Sequence, residues 1–313
     1  MIDCSGEGSG LYLGVEIGGT KLQLFAGNQS AQIVERFRFD VDPTSGAEGI
    51  RSQIAHALPQ LTQRLKPIAT GVGFGGPVDW KTGRICCSHQ VEGWSDFPLV
   101  DWLSDLARTP IFVDNDANVG ALGEALHGAG VGFDPVFYVT LGSGVGGGLV
   151  TGRKIYHGAR PGESEIGHVR LDRAGKLVED RCSGRAVDAK LRAAKAQHPQ
   201  SALARCIGDA TRGEAKFLSA ALLQNDPFAR AILEETAEDL AFGLSHVVHL
   251  FHPQIIVLSG GLALVGESLR AAVERSLRRF VMEAFAPGPK IVLASLGEDA
   301  VPVGALELAS SSL

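Results

Sequence analysis

The chain has 313 residues, 45% hydrophobic and 20% charged, with a formal net charge of −6. This is the composition of a globular enzyme of about two domains, and the acidic balance argues against a nucleic-acid or anionic-membrane partner. The five cysteines (Cys4, Cys86, Cys87, Cys182 and Cys206) are odd in number and form no CxxC pair; they read as reduced thiols in a cytoplasmic protein. The first ten residues lack the basic and apolar regions of a signal peptide, and no apolar run reaches the roughly 18 residues of a membrane span.

In chain order, "LYLGVEIGGTKLQLFAG" (Leu11–Gly27) reads as strand, Gly-Gly turn, strand. The alternation in "KLQLFAG" predicts a hairpin with one buried face. Residues 47–65 predict a helix, and "IATGVGFGGPVD" (Ile68–Asp79) a strand entering a glycine-proline loop. "PLVDWLSDLART" predicts a helix and "PIFVDND" (Pro110–Asp116) a buried strand ending in carboxylates, followed by a helix over "ANVGALGEALHGAG". The first pattern then recurs: "VFYVTLGSGVGGGLVTGRKI" (Val136–Ile155) is again strand, glycine turn, strand. A long helix runs from Phe228 to His252 and stops at Pro253. "QIIVLSGGLA" (Gln254–Ala263) is a strand entering another Gly-Gly turn and a helix, "KIVLASLG" a strand, and "VPVGALELASSSL" a closing helix. Two such rounds predict two similar α/β domains facing a cleft.

Three glycine turns follow strands: Glu16–Lys21, Leu141–Gly148 and Leu258–Ala263. Small residues there let backbone N–H groups approach a phosphate, with Thr20 and Ser143 adding hydroxyls and Lys21 a positive charge. Gly142, Gly144 and Gly147 match G-x-G-x-x-G, but a hairpin follows where a dinucleotide fold needs a helix. No P-loop motif occurs. Asp116 opens the helix after "VDN", where the helix dipole favours a carboxylate. It reads as the helix N-cap and as a general base toward a substrate hydroxyl that Asn115 orients, two compatible roles. The basic run Arg275–Phe280 reads as a solvated helix face, and His246, His249 and His252 as helix-surface residues and partners of the helix C-terminus.

Taken in order, "EIGGTK", "GFGGPVD", "VDNDAN", "LGSGVGGG", "EIGH" and "LSGG" resemble the ROK family of sugar kinases and sugar-responsive repressors, from about Leu11 to the last helix. The resemblance implies an α/β, two-domain, actin-like and hexokinase-like (ribonuclease H-like) ATPase fold, with mixed sheets facing a central cleft. Domains are expected at 1–115, joined by a C-terminal helix at about 298–313, and at 116–297. The family's catalytic aspartate falls on Asp116. Its sugar contacts fall on Gly75, Gly76, Asn115, Asp116, Glu165, His168 and Glu179. ATP would lie against Gly18, Gly19, Thr20, Lys21, Gly142, Ser143, Gly144, Gly260 and Gly261, with Mg²⁺ held by Glu16 through water. The expected activity is ATP-dependent phosphorylation of a hexose, glucose first, at the 6-hydroxyl; a catalytically weak sugar-binding sensor is the alternative. A homodimer is expected by resemblance. A repressor is not, because only 15 residues precede Glu16, fewer than a helix-turn-helix needs.

Three departures stand out. The family's zinc loop, CxCGxxGC, is absent: Glu179 comes eleven positions after His168 with no cysteine between them, and Cys182 lies beyond it. Glu16 replaces the usual aspartate, and Gln90 the usual asparagine before Gly93–Trp94. One histidine and one cysteine do not build a four-ligand structural site, so His168, Glu165 and Glu179 are read as direct sugar contacts. Protein purified without added metal is expected to carry far less than one zinc per chain by elemental analysis; stoichiometric zinc would overturn that reading.

Overall fold

A computed structural model describes residues 10–19, 21–87, 91–162 and 164–313. Cys4, Thr20 and Gln90 lie outside the described residues. The chain begins as a meander of β1 (Tyr12–Ile17), β2 (Leu22–Gly27) and β3 (Ile33–Phe39), followed by α1 (Gly46–Leu65) and β4 (Thr70–Phe74). Three two-residue strands, β5 (Val78–Asp79), β6 (Arg84–Ile85) and β7 (Phe97–Pro98), form a small antiparallel sheet. Then come α2 (Leu99–Ala107), β8 (Ile111–Asn115) and α3 (Asp116–His127). The pattern restarts with β9 (Val136–Leu141), β10 (Val145–Thr151) and the short β11 (Lys154–Ile155). Helices α4 (Val178–Cys182), α5 (Gly184–Gln197), α6 (Ala202–Ile207), α7 (Leu218–Leu223) and α8 (Pro227–Phe251) follow. The chain closes with β12 (Ile255–Ser259), α9 (Glu267–Leu277), β13 (Lys290–Leu293) and α10 (Ala300–Ser311).

Internal packing divides the chain into two compact units. One holds residues up to Gly128, Lys154–Glu163 and Glu298–Leu313; the other holds Ala129–Arg153 and Ser164–Gly297. The division expected at 115/116 thus differs from that of the compact units, because α3 packs on α10 and β4 and stays with the first unit. In the first unit β2, β1, β4 and β8 are neighbours in that order, with β1–β2 antiparallel and β1–β4 and β4–β8 parallel. In the second unit β10, β9, β12 and β13 repeat the same order and directions. The repeat read from the glycine turns is therefore a repeat of topology.

All six residues of β2 are buried, Gln23 included, so the one-faced hairpin expected from its alternation is corrected. Leu22, Leu24 and Ala26 join the core formed by α1 and α2. The opposite face is covered by α10, whose Leu306 leaves no room for a side chain at Gly27. A strand covered on both faces carries no period-two requirement.

The approach of α10 is set by glycine. A Cβ at Gly304 would lie 1.8 Å from Val119 O, one at Gly123 2.3 Å from Ala300 O, and one at Gly71 1.9 Å from Ala305 O. Bare backbone at these three positions lets α10 lie directly on α3, which begins at Asp116, and on β4, which leads to Gly75.

In the second unit, α8 starts at Asp226, whose carboxylate accepts from Phe228 N and Ala229 N at 2.9 Å and from Leu203 N at 2.9 Å. Burial alone would raise this carboxyl, but the backbone donors outweigh it and hold it below its usual value. The helix stops at His252, which takes the left-handed conformation (φ 44°) just before Pro253. His246 faces Phe242 O at 3.0 Å, His249 accepts from Met282 N at 3.1 Å, and His252 stacks on Phe285. Arg275 and Arg279 of the basic run pair with Glu234 and Glu238 of α8. Among the described residues no helix is long and apolar enough to cross a membrane.

Gly304→Ala is expected to lower the unfolding free energy by about 1–3 kcal/mol, measured by urea denaturation. Unchanged stability would mean that α10 can lift off α3 at no cost.

Candidate active site

Asn115 ends β8 in an extended conformation and Asp116 takes the first helical position of α3. The Asn115 carboxamide oxygen accepts from Ala117 N at 2.8 Å and from Asn118 N at 3.3 Å, while Nδ2 donates to Gly76 O at 3.0 Å. The N-cap is therefore Asn115. The reading of Asp116 as the cap is corrected, and the half-buried Asp116 carboxylate is not used as the cap.

Gly75 lies beside that carboxylate. Its N–H donates to Ile17 O at 2.8 Å, which ties the end of β4 to the end of β1. A Cβ built on Gly75 would lie 3.4 Å from Asp116 Oδ2 and 3.5 Å from Gly18 Cα. The carboxylate and the first glycine turn thus flank a single glycine. The turn itself is closed by Gly18 N donating to Lys21 O at 2.7 Å.

Glu16 and Gln23 are cross-strand partners in β1 and β2. Gln23 Nε2 donates to Glu16 Oε2, and Lys21 Nζ lies 3.4 Å from the same oxygen. Burial pushes the Glu16 carboxyl above its usual range, against the lowering pull of Lys21 and Gln23. The charge of Lys21 is therefore turned toward Glu16. A hard carboxylate oxygen at a strand end, two residues before Gly18, suits Mg²⁺ bound through water, which takes few protein ligands when phosphates supply the rest.

Asp114, 2% exposed, is a participant that sequence reasoning passed over. Its Oδ1 accepts from Asn115 N at 2.8 Å and Asn118 Nδ2 at 2.9 Å, and its Oδ2 lies 2.5 Å from His157 Nε2. "VDND" showed the carboxylates at the strand end; nothing local pointed to a histidine 43 residues away.

In the second unit three predicted sugar residues gather around Val145, the first residue of β10. Glu179 Oε2 accepts from Val145 N at 2.8 Å. The 3₁₀ turn Ile166–His168, which begins at Glu165, packs its Gly167 against Val145 so closely that a Cβ there would lie 2.3 Å from Val145 O. Glu165 and His168 are exposed, and Glu179 is partly so. Cys182 is fully buried, its thiol near Thr236 O at 3.6 Å, and burial pushes its pKa up to about 12.

The turn Gly142–Ser143–Gly144 precedes Val145 and is held from three sides. Gly184 N, opening α5, donates to Gly142 O at 2.7 Å; Arg185 Nε donates to Ser143 O at 2.6 Å; Gly260 leaves no space for a Cβ against the Leu141 backbone, 2.6 Å away. Gly144 is bare because a Cβ would strike Glu179 Oε2 at 2.4 Å, whereas a Cβ at Gly142 or Gly261 would meet nothing within 4 Å. The four glycines of this unit expected to admit a ligand thus divide into two, Gly144 and Gly260, that admit protein contacts and two, Gly142 and Gly261, on open space.

The ROK family model matches residues 12–312. A glucokinase of Halalkalibacterium halodurans is 30% identical, with 94% of this chain and 93% of that one covered. A glucokinase of Streptomyces coelicolor is 31% identical over 96% of this chain and 98% of its own. The crystal structure of a ROK family glucokinase from Streptomyces griseus in complex with glucose and AMPPNP superposes with a TM-score of 0.84 at 32% identity, covering 96% of this chain and 100% of that one.

Asn115→Ala is expected to cost about 1 kcal/mol of stability through the lost cap and to lower turnover. Asn115→Ser restores an oxygen acceptor but no Nδ2, so stability should recover and turnover should not. Full activity in Asn115→Ser would remove the carboxamide from the site.

Proposed function

The chain belongs to the ROK family and is a sugar kinase, and from that premise we propose that it transfers the γ-phosphoryl group of ATP to the 6-hydroxyl of a hexose, glucose first, with Asp116 as general base. One observation carries this reading: the Asp116 carboxylate and the Gly18 turn flank the same glycine, Gly75. Phosphoryl transfer asks for little covalent chemistry from the protein beyond a carboxylate beside the attacking hydroxyl and backbone donors around the phosphates. The glucose and AMPPNP held by the Streptomyces griseus enzyme support hexose and nucleotide as the two ligands.

In this mechanism the hydroxyl gives its proton to Asp116 as its oxygen bonds to the γ-phosphorus, and the bond from that phosphorus to the β–γ bridging oxygen breaks. Asn115 Nδ2, with one N–H on Gly76 O, has a second N–H to orient the sugar. Gly75 and Gly76 back the ring. Glu165, His168 and Glu179 accept or donate to its other hydroxyls, a task that suits carboxylates because each accepts several hydrogen bonds. Gly18, Gly19, Thr20 and Lys21 cradle phosphates, as do Gly142, Ser143 and Gly144, with Gly260 and Gly261 on the adenosine side. Glu16 would hold Mg²⁺ through water, and the ion when bound neutralises phosphate charge.

Glu179 has a double place in this scheme. Its Oε2 is committed to Val145 N, next to the second glycine turn, and its Oε1 lies 3.6 Å from Arg185 NH2. A sugar hydroxyl on Glu179 would therefore sense the same residue that holds the phosphate turn.

A catalytically weak sugar-binding sensor is the second reading, favoured by Gln23 and Lys21 both engaging Glu16 Oε2. ATP turnover with Mg²⁺ across a panel of hexoses and N-acetylhexosamines separates the two. Asp116→Asn is expected to lower kcat by about 10²–10⁴ while the best sugar still raises the melting temperature. Undiminished turnover would remove Asp116 as the base. No turnover on any sugar, with thermal stabilisation retained and a gain in Glu16→Asp, would establish the sensor.

A further inference from the structure

We infer that His157 is a positioning residue for phosphoryl transfer, holding the buried Asp114 carboxylate that fixes the strand end carrying Asn115 and Asp116. This rests on the assignment of Asp116 as the base.

The reason lies in the cost of burying a charge. At 2% exposure Asp114 has almost no water, and a buried carboxylate must find donors inside the protein. Oδ1 has two, Asn115 N and Asn118 Nδ2, both from the junction where β8 becomes α3. Oδ2 faces His157 Nε2 at 2.5 Å. An ionised carboxylate only accepts, so Nε2 carries the proton and donates. Asp114 is thereby held from both ends: its inner oxygen spans the residues on either side of Asp116, and its outer oxygen is anchored by the imidazole.

The anchor is itself held. His157 stacks on Trp80 with ring centroids 4.2 Å apart and planes 17° apart, and its side chain is 16% exposed. Lys81 Nζ lies 5.1 Å from the Trp80 ring. Three residues on, Arg160 NH1 donates to Asp79 Oδ2 at 3.3 Å, and β11 packs on α3. The segment Lys154–Gly162 thus ties to the rest of the first unit at Asp114 and Asp79. Asp114 is the last but one residue of β8, and Gly76, which accepts from Asn115, lies three residues before Asp79, so both ties converge on the residues that frame the base.

Removing the imidazole leaves Asp114 Oδ2 buried and unpartnered. The carboxylate then rotates, takes in water or binds a proton, and the Asn115–Asn118 geometry that it holds loosens. A shift of about 1 Å in a reacting group costs up to about a hundredfold in rate. The loss belongs in kcat, because the nucleotide contacts lie on other segments.

The test is steady-state kinetics on the full chain with its best sugar. His157→Phe keeps an aromatic ring against Trp80 and lacks the donor; His157→Ala serves if the ring does not fit. Either is expected to lower kcat about ten- to a hundredfold with KM for ATP within about twofold. His157→Gln offers an amide N–H in place of Nε2 and should recover most of kcat. In a double-mutant cycle with Asp114→Asn, which removes the buried charge, the two losses should be strongly less than additive. Parental kcat in His157→Phe or His157→Ala, a His157→Gln no better than His157→Ala, or fully additive losses would each overturn the proposal. Asp116→Asn measured alongside keeps the two readings apart: if it retains full turnover the base assignment falls, whereas a silent His157 with an inactive Asp116→Asn removes only the positioning role.

Discussion

A helix that starts inside a protein must find acceptors for its first N–H groups, and at α3 that requirement falls on Asn115. Its carboxamide oxygen takes Ala117 N and Asn118 N, and its Nδ2 reaches Gly76 O. One side chain therefore ends β8, begins α3 and ties both to the glycine-proline loop. Asp116 is released from capping and left with its carboxylate beside Gly75.

The surrounding packing keeps this junction in place. Residues Ala117 to Ala125 of α3 are all buried, and small residues dominate them. Gly123, Gly304 and Gly71 bring α10 to backbone distance of α3 and β4. Contacts at that range fix position more sharply than long side chains would, because a carbonyl cannot yield as a flexible chain end can. The C-terminal helix is thus part of the support for the base, although it lies nearly two hundred residues after it in the chain.

The second unit uses the same device on a different turn. Gly142–Gly144 is held by Gly184, Arg185 and Gly260, and Glu179 and the 3₁₀ turn with Glu165 and His168 meet at Val145 just after it. Residues that resemblance assigned to sugar and residues assigned to phosphate meet at one backbone position. Glu16 and Gln23 form the counterpart at the first turn, where a longer carboxylate than the family's usual aspartate is matched by a glutamine directly across the hairpin.

Much of this was legible in the residue order. The strand–glycine–strand repeats, the helices near 47–65, 98–109 and 228–252 and the stop at Pro253 all rest on signals that act within a few residues: periodicity, glycine, proline and caps. The sequence by itself also determined which carboxylates and glycines were available at strand ends, and so the class of chemistry. Only the tertiary structure decided which of two neighbours caps α3, why β2 is buried on both faces, which glycines admit protein instead of ligand, and that His157 belongs to Asp114. The reason is physical. A cap, a covered face and a buried ion pair are each settled by whatever packs against them, and those partners, such as Gly76, Leu306 and His157, lie tens to hundreds of residues away, beyond the reach of any local pattern.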